Sequence, residues 1–235
     1  PILPKAVPHI LLSTAKWYAY MASLGITSTS EHTYNSGMYK GYQALASVPD
    51  TPLRLHVYHM AIDADAGDQA TWSDPSLVRK NGIKLWADGT PWLGTVAQSF
   101  PYLENSTTKN AQIIIGPLGE KGMNYTRLQL DQMLDKYAPM GYQMAFHCNG
   151  DVGFDVVLDA YERALNTHNL IGTDHRWRVE HLGSARADQF QRAAQTFHLA
   201  AANGGNKHIG AQFDPVGDHR MGGPVQAIHP LNGDD

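Results

Sequence analysis

Short apolar segments alternate with amphipathic ones along most of this chain. Period-two or β-branched apolar patterns predict five strands, at 24–29, 53–60, 82–87, 142–147 and 176–182. Apolar residues at helical spacing predict helices that end near residue 22 or lie at 39–48, 125–137, 152–165 and 187–197. Strands and helices therefore alternate, and this order favours a parallel sheet with crossover helices.

Two architectures satisfy this order, a doubly wound open sheet and a closed barrel. No Gly-x-Gly-x-x-Gly segment follows a predicted strand, so a dinucleotide-binding sheet loses its usual support. The length of 235 residues is typical of an α/β barrel that forms one domain. Residues 90–124 predict a long irregular loop, and a loop of this length is usually functional or mobile.

The composition excludes several classes of protein. Apolar residues make up 43% of the chain, enough for a large core, and the formal charge is only −4 with Lys and Arg scattered. Because the positive residues are scattered, we expect no nucleic-acid partner. We also expect no membrane partner, because no apolar run is long enough to cross a bilayer. The single cysteine, Cys148, excludes an internal disulfide framework and a cysteine-rich zinc module. The chain begins without Met, so we expect a processed or partial product.

Three residues lie where an α/β barrel carries its chemistry, at the carboxyl ends of strands. His147 and His181 end two successive predicted strands, and Lys84 lies in the strand before them. Neighbouring strands are about 4.8 Å apart, so two imidazoles can reach one metal ion. A buried lysine is costly unless it is paired or modified, and a carbamate on its amine would supply an anionic oxygen ligand.

Each feature also has a plain structural interpretation. A histidine at a strand end can be a hydrogen-bonded packing residue, and Lys84 can extend to the barrel rim. Asp88 and Gly89 are a turn pair. Asp151 precedes a helical segment, where its side chain is expected to cap the helix. Cys148 is most simply a small buried thiol.

Three segments in this order carry a resemblance to a known family. They are Ile-Lys-Leu-Trp-Ala-Asp-Gly at 83–89, Gln-Met-Ala-Phe-His-Cys-Asn-Gly-Asp at 143–151 and Arg-Trp-Arg-Val-Glu-His at 176–181. The chain resembles the amidohydrolase superfamily, specifically amidohydrolase family 3 and its branch of N-substituted formamide deformylase-like metal-dependent hydrolases. The resemblance covers roughly residues 21–200.

The resemblance implies a (β/α)8 TIM-type barrel whose fourth, fifth and sixth strands supply the metal ligands Lys84, His147 and His181. Lys84 is often carbamylated in such enzymes. One or two divalent ions, usually zinc, would activate a water that attacks an amide-type C–N bond of a small molecule. Glu180 is expected to point away from the metal, because adjacent strand residues face opposite sides.

This sequence also departs from the family pattern. The His-x-His pair after the first barrel strand is missing, as is the preceding small β domain, so we expect residues 1–235 to form one partial barrel domain. The family's last ligand is an Asp that serves as general base, and Asp214 is the candidate for this catalytic role. Asp88 and Trp92 are candidate substrate-binding residues near the mouth of the site.

The resemblance further implies a small-molecule, amide-like substrate, a homodimer and a cytoplasmic location. The missing His-x-His pair leaves one alternative function open, a degenerate non-catalytic barrel or fragment with a binding or structural role. The sequence contains no phosphate-binding glycine loop, the feature that would support a flavin- or nicotinamide-dependent barrel.

Overall fold

A computed structural model describes residues 3–47 and 51–197. The strands are β1 (Ser28–Tyr34), β2 (Arg54–Met60), β3 (Val78–Trp86), β4 (Gln143–Cys148) and β5 (Arg178–His181). The α-helices are α1 (Leu3–Ser23), α2 (Tyr39–Ala46), α3 (Ser106–Asn110), α4 (Arg127–Tyr137), α5 (Asp151–Thr167) and α6 (Ala187–Phe197). Within this part of the chain, the helices include none that is both long and apolar enough to cross a bilayer.

The five strands form one parallel sheet in chain order, β1-β2-β3-β4-β5. A flat sheet would hold β1 and β5 roughly 19 Å apart, at about 4.8 Å per strand. However, His32 Nε2 on β1 lies only 3.0 Å from Arg178 Nη2 on β5. The sheet is therefore strongly curled, and the prediction of an incomplete (β/α)8 barrel is confirmed.

Strand register divides the side chains between a convex and a concave face. Ile83, Leu85, Met144 and Phe146 point to the convex face, where they are fully buried against α4 and α5. A second core, rich in tyrosine, covers the outer side of β1 and β2 and includes Trp72. Because side chains alternate along a strand, the residues between these apolar positions form the lining of the concave face.

The first predicted strand is wrong for most of its length. The N–H groups of Leu24 and Gly25 bond to the carbonyls of Met21 and Ala22, which end α1. Gly25 has φ +86°, the left-handed conformation that commonly follows a helix. This turn delays the strand until Ser28, so the β1 residues are mostly polar. The other four predicted strands agree with β2 to β5 to within a few residues, except that β3 starts earlier, at Val78.

Backbone hydrogen bonds hold the long segment between β3 and α4 in a defined conformation. Tyr102 N donates to Ile115 O at 2.8 Å, and Gly119 N donates to Gln98 O at 3.0 Å. Within the segment, Asn105 begins the short helix α3 with a capping box. The segment is thus a structured connection that lies over the carboxyl ends of β3 and β4.

Candidate active site

The structure brings the three predicted metal ligands together at the carboxyl ends of β3, β4 and β5. The rings of His147 and His181 meet edge to face, with centroids 4.5 Å apart. Trp86 stacks on His147 at 4.4 Å, and Lys84 Nζ lies 5.6 Å from the centroid of the Trp86 ring. The Trp86 side chain therefore contacts both Lys84 and His147.

His181 reaches this site through an unusual backbone conformation. Its register partner is Cys148, which faces the convex side, so a regular strand would point His181 away from His147. Instead, His181 has φ +79° and Leu182 has φ +54°. Such values are uncommon for residues other than glycine, and they often occur at functional sites. The left-handed turn directs the His181 ring back towards His147.

One ring nitrogen of His147 is left available as a ligand. Nε2 lies 2.8 Å from Gly89 O and 3.1 Å from Asn149 Nδ2; we assign the proton to Nε2 because the shorter contact is to a carbonyl, which can only accept, and Asn149 Nδ2 donates to the same Gly89 O at 2.9 Å. The lone pair is then on Nδ1, which is buried and has no hydrogen-bond partner among the described residues. Histidines that bind metals usually donate their other N–H to a carbonyl or carboxylate in this way. His147 therefore fits the role of a metal ligand.

Both histidines of the site are held in the neutral state that binds metals. Burial lowers the pKa of His147. Burial also lowers the pKa of His181 to about 4, with further contributions from the neighbouring His147 and Lys84. At neutral pH the imidazole lone pairs therefore need not be freed from a proton before they bind an ion.

Lys84 takes part in a buried ionic network. It is 2% exposed and forms an ion pair with Glu180 Oε2. Glu180 also contacts Arg178 Nη2 through Oε1 at 2.9 Å and His32 Nδ1 through Oε2 at 3.3 Å. Burial, followed by the charge of Arg178, lowers the pKa of Lys84 to about 7.

The prediction that Glu180 points away from the site is wrong. Glu180 is the register partner of His147, so both side chains lie on the concave face. The alternation argument assumed that His181 has regular strand geometry, whereas His181 is the residue that departs from it. The polar alternation of Arg178 and Glu180 around the packed Val179 was a signal in the sequence that could have placed Glu180 correctly.

Asp88 organises the backbone beneath His147. Its carboxylate is fully buried and accepts N–H bonds from Asn149 at 2.8 Å, Gly150 at 2.7 Å and Ala97 at 3.2 Å. Burial raises the pKa of this carboxyl, which these three hydrogen bonds oppose. Asp88 thus joins the end of β4 to the long segment, and its contact with a substrate stays a prediction.

The side chain of Asp151 does not cap α5 as predicted. Gly150 occupies the capping position, and Asp151 is the first residue of the helix. The Asp151 carboxylate instead accepts from Ser99 N at 2.8 Å and Ser99 Oγ at 2.5 Å. It therefore fixes the long segment against the start of α5, a contact that is distant in sequence and that a local cap signal cannot reveal.

The remaining predicted residues have different outcomes. Trp92 is 84% exposed at the start of the long segment, and its contact with a substrate stays a prediction. Asp214 lies outside the described residues. Cys148 is fully buried, and burial raises the pKa of its thiol well above the usual value, as expected of an inert core thiol.

Replacing Gly150 with alanine is expected to destabilise the fold by about 1–3 kcal/mol or more, because overpacking forces the backbone to shift. A Cβ at this position would lie 1.9 Å from Ala97 O. Gly116→Ala is the matched control, since no atom of the described residues lies within 4 Å of a Cβ built there. Urea denaturation of both variants measures the effect, and equal midpoints would contradict the close approach of Gly150 to Ala97.

A search of curated proteins found no match. Among solved structures, an uncharacterized metal-dependent hydrolase from Pyrococcus horikoshii OT3 and one from Pyrococcus furiosus are similar, each with 22% identity and a TM-score of 0.58. Each match covers 76% of this chain but only 33% and 34% of the two structures. The chain therefore spans about a third of their length, and the likeness supports the fold.

The family is established by sequence. A sequence model of the amidohydrolase family matches residues 9–203, which is most of the chain and includes Lys84, His147 and His181. The match agrees with the curled parallel sheet and with the position of these residues at its carboxyl ends. The chain belongs to the amidohydrolase family.

Proposed function

We propose that this protein is part of a metal-dependent hydrolase that cleaves an amide-type C–N bond of a small molecule. The observation that carries the proposal is the buried Nδ1 of His147, which has no hydrogen-bond partner in the described part of the chain and lies beside His181. Membership of the amidohydrolase family and the likeness to metal-dependent hydrolases support the same function.

The metal would be held by His147 through Nδ1, by a ring nitrogen of His181 and by Lys84 in its carbamylated form. Nitrogen and oxygen donors of this kind suit zinc, which we propose as the metal. When bound by these residues, a divalent ion would supply a Lewis acid for a substrate carbonyl and for a water molecule.

The buried network around Lys84 supports modification of its amine. A pKa near 7 leaves a large fraction of the amine neutral at physiological pH. The neutral Nζ can attack carbon dioxide, forming an N–C bond and releasing one proton, so that the neutral amine becomes an anionic carbamate; starting from the ammonium, the change from cation to anion releases two protons. Lys84 would then repel Glu180, and the guanidinium of Arg178, 2.9 Å from Glu180, would stabilise the added negative charge.

Several parts of the proposal rest on the family resemblance. They are the C–N bond, the homodimer, the cytoplasmic location and the role of Asp214 as general base. The contacts of Asp88 and Trp92 with the substrate belong to the same group. We also propose that residues of the complete protein outside this chain contribute the ligands that the His-x-His pair supplies in the family.

One observation favours the alternative of a non-catalytic barrel. The ammonium of Lys84 already has a carboxylate partner in Glu180, so the charge of Lys84 is paired without a modification or a metal. On this alternative, the histidines and the ionic network are a polar core that fills the barrel.

Metal analysis of histidine variants separates the two functions. In the full-length protein, His147→Ala and His181→Ala are each expected to lower the zinc content by at least about one ion per chain, because each removes a ligand. His168→Ala is the control, since His168 is ion-paired to Asp135 at 2.8 Å on another part of the surface. Unchanged zinc in both site variants would contradict the hydrolase and favour the non-catalytic barrel.

A further inference from the structure

A second group of possible metal ligands lies on the other side of the sheet. His59 is the penultimate residue of β2, and Asp63 and Asp65 lie in the connection that follows. The preceding residue, Tyr58, stacks on His32 in the barrel interior at 4.5 Å. Because side chains alternate along β2, His59 points to the convex face. The group is therefore separated from the proposed active site by the sheet itself.

The three ligand atoms converge on one small volume. His59 Nε2 lies 3.2 Å from Asp63 Oδ2 and 3.4 Å from Asp65 Oδ1, and all three atoms are within 4.8 Å of one another. Ligand atoms about 2.0–2.2 Å from a tetrahedrally coordinated ion are roughly 3.3–3.5 Å apart. The separations from Nε2 are thus those expected of atoms that share one ion.

Two of these atoms are buried without a hydrogen bond. His59 is 2% exposed, and neither its Nε2 nor Asp63 Oδ2 has a hydrogen-bond partner among residues 3–47 and 51–197. Their mutual contact has the distance of an ion pair but lacks the alignment of a hydrogen bond. Buried polar atoms are nearly always satisfied in folded proteins, and an ion shared by both atoms would satisfy this facing pair.

The surroundings fix the imidazole in place. The Tyr34 ring contacts the His59 ring edge to face, with centroids 4.9 Å apart. Lys80 Nζ is held by the carbonyls of Ala66 at 2.7 Å and Asp68 at 2.6 Å, and it lies 3.4 Å from His59 Nδ1. The connection is therefore anchored on the Nδ1 side by a donor, so Nε2 carries a proton that is directed at the two carboxylates, and a bound ion would take the place of this proton.

From this geometry we propose that His59, Asp63 and Asp65 bind a divalent transition-metal ion, such as Zn²⁺, that is separate from the active-site metal. One nitrogen and two carboxylate oxygens suit this class of ion. The side chains of Asp63 and Asp65 are 30% and 38% exposed, so water can complete the coordination. The bound ion joins the β2–β3 connection to β2 and has a structural role.

The test uses an untagged full-length protein in which the active-site ligands are removed by His147→Ala and His181→Ala. After stripping with EDTA and incubation with Zn²⁺, this protein is expected to retain about one ion per chain at the second site. Adding Asp63→Asn or Asp65→Asn is expected to weaken Zn²⁺ binding at this site at least about tenfold, because each removes an anionic ligand. Isothermal titration and elemental analysis measure both quantities.

Asp68→Asn is the matched control. It removes the same charge from the same connection, but Asp68 is not one of the three converging ligands, and its backbone carbonyl accepts from Lys80 and Tyr142. Equal Zn²⁺ binding by the Asp63→Asn, Asp65→Asn and Asp68→Asn variants overturns the proposal. Absence of a retained ion in the starting protein also overturns it, because His59 is then a hydrogen-bond donor to Asp63 and no ligand. If Asp63→Asn fails to fold, the more exposed Asp65→Asn decides.

Discussion

Replacing Lys84 with alanine is expected to reduce hydrolysis by at least about a thousandfold. The carbamylated side chain is proposed to hold the metal, which contributes several kcal/mol to the stability of the transition state, and each 1.36 kcal/mol corresponds to about a factor of ten. The truncation also leaves Glu180 facing only Arg178 and His32 in the interior. Steady-state kinetics and metal content of the full-length protein measure the effect.

Two controls separate chemistry from folding in this variant. Lys136→Ala removes an exposed lysine of α4 and is expected to leave activity unchanged. Acetate added to Lys84→Ala can occupy the vacated space and offer a carboxylate, so we expect partial recovery of both metal and activity. A Lys84→Ala variant with activity within tenfold of the unaltered protein would remove Lys84 from the metal site.

Replacing Asp88 with alanine is expected to lower the free energy of unfolding by about 3–9 kcal/mol. The change leaves the backbone N–H groups of Ala97, Asn149 and Gly150 buried without an acceptor, and each unsatisfied donor costs about 1–3 kcal/mol. Because these residues fix the end of β4, we also expect weaker metal binding at His147. Urea denaturation with and without Zn²⁺ measures both effects.

The matched control is Asp155→Ala, which removes a partly exposed carboxylate that pairs with Arg186 at 3.1 Å. Partly exposed pairs of this kind contribute about 1 kcal/mol or less. We expect the loss of unfolding free energy in Asp88→Asn to lie between the losses in Asp88→Ala and Asp155→Ala. The amide oxygen of Asn can still accept a hydrogen bond, but its NH2 group would face N–H donors. Equal losses in Asp88→Ala and Asp155→Ala would contradict the organising role of Asp88.

The order of strands and helices could be predicted from the sequence because the relevant signals are local. Period-two patterns placed β2 and β4 to within a residue or two, and helical spacing placed α6 at its observed bounds. The error at β1 arose because Leu24 and Ile26 favour a strand, while the hydrogen bonds of the helix end include Leu24 and Gly25 in a turn. The hydrogen bonds that end α1 therefore overrode the strand preference of these two residues.

The candidate site was partly predictable for a related reason. Lys84, His147 and His181 were identified from their positions near predicted strand ends and from the family resemblance. The orientation of Glu180 depends on the strand register and on the left-handed backbone of His181, neither of which a single sequence displays. The His59 group was not predicted as a metal site because nothing in the sequence distinguishes a histidine facing two carboxylates from one with an ordinary structural role.

The proposed carbamylation of Lys84 would couple two binding equilibria through the ionic network of the barrel interior. When Lys84 is an ammonium, Lys84 and Arg178 carry two positive charges against one negative charge on Glu180, so the network repels a divalent cation. Conversion of Lys84 to a carbamate changes the net charge of these three side chains from positive to negative, and the network then attracts a divalent cation. Carbon dioxide and the metal should each raise the affinity of the protein for the other, by the same factor. The metal affinity of the protein should consequently rise with the concentration of dissolved carbon dioxide.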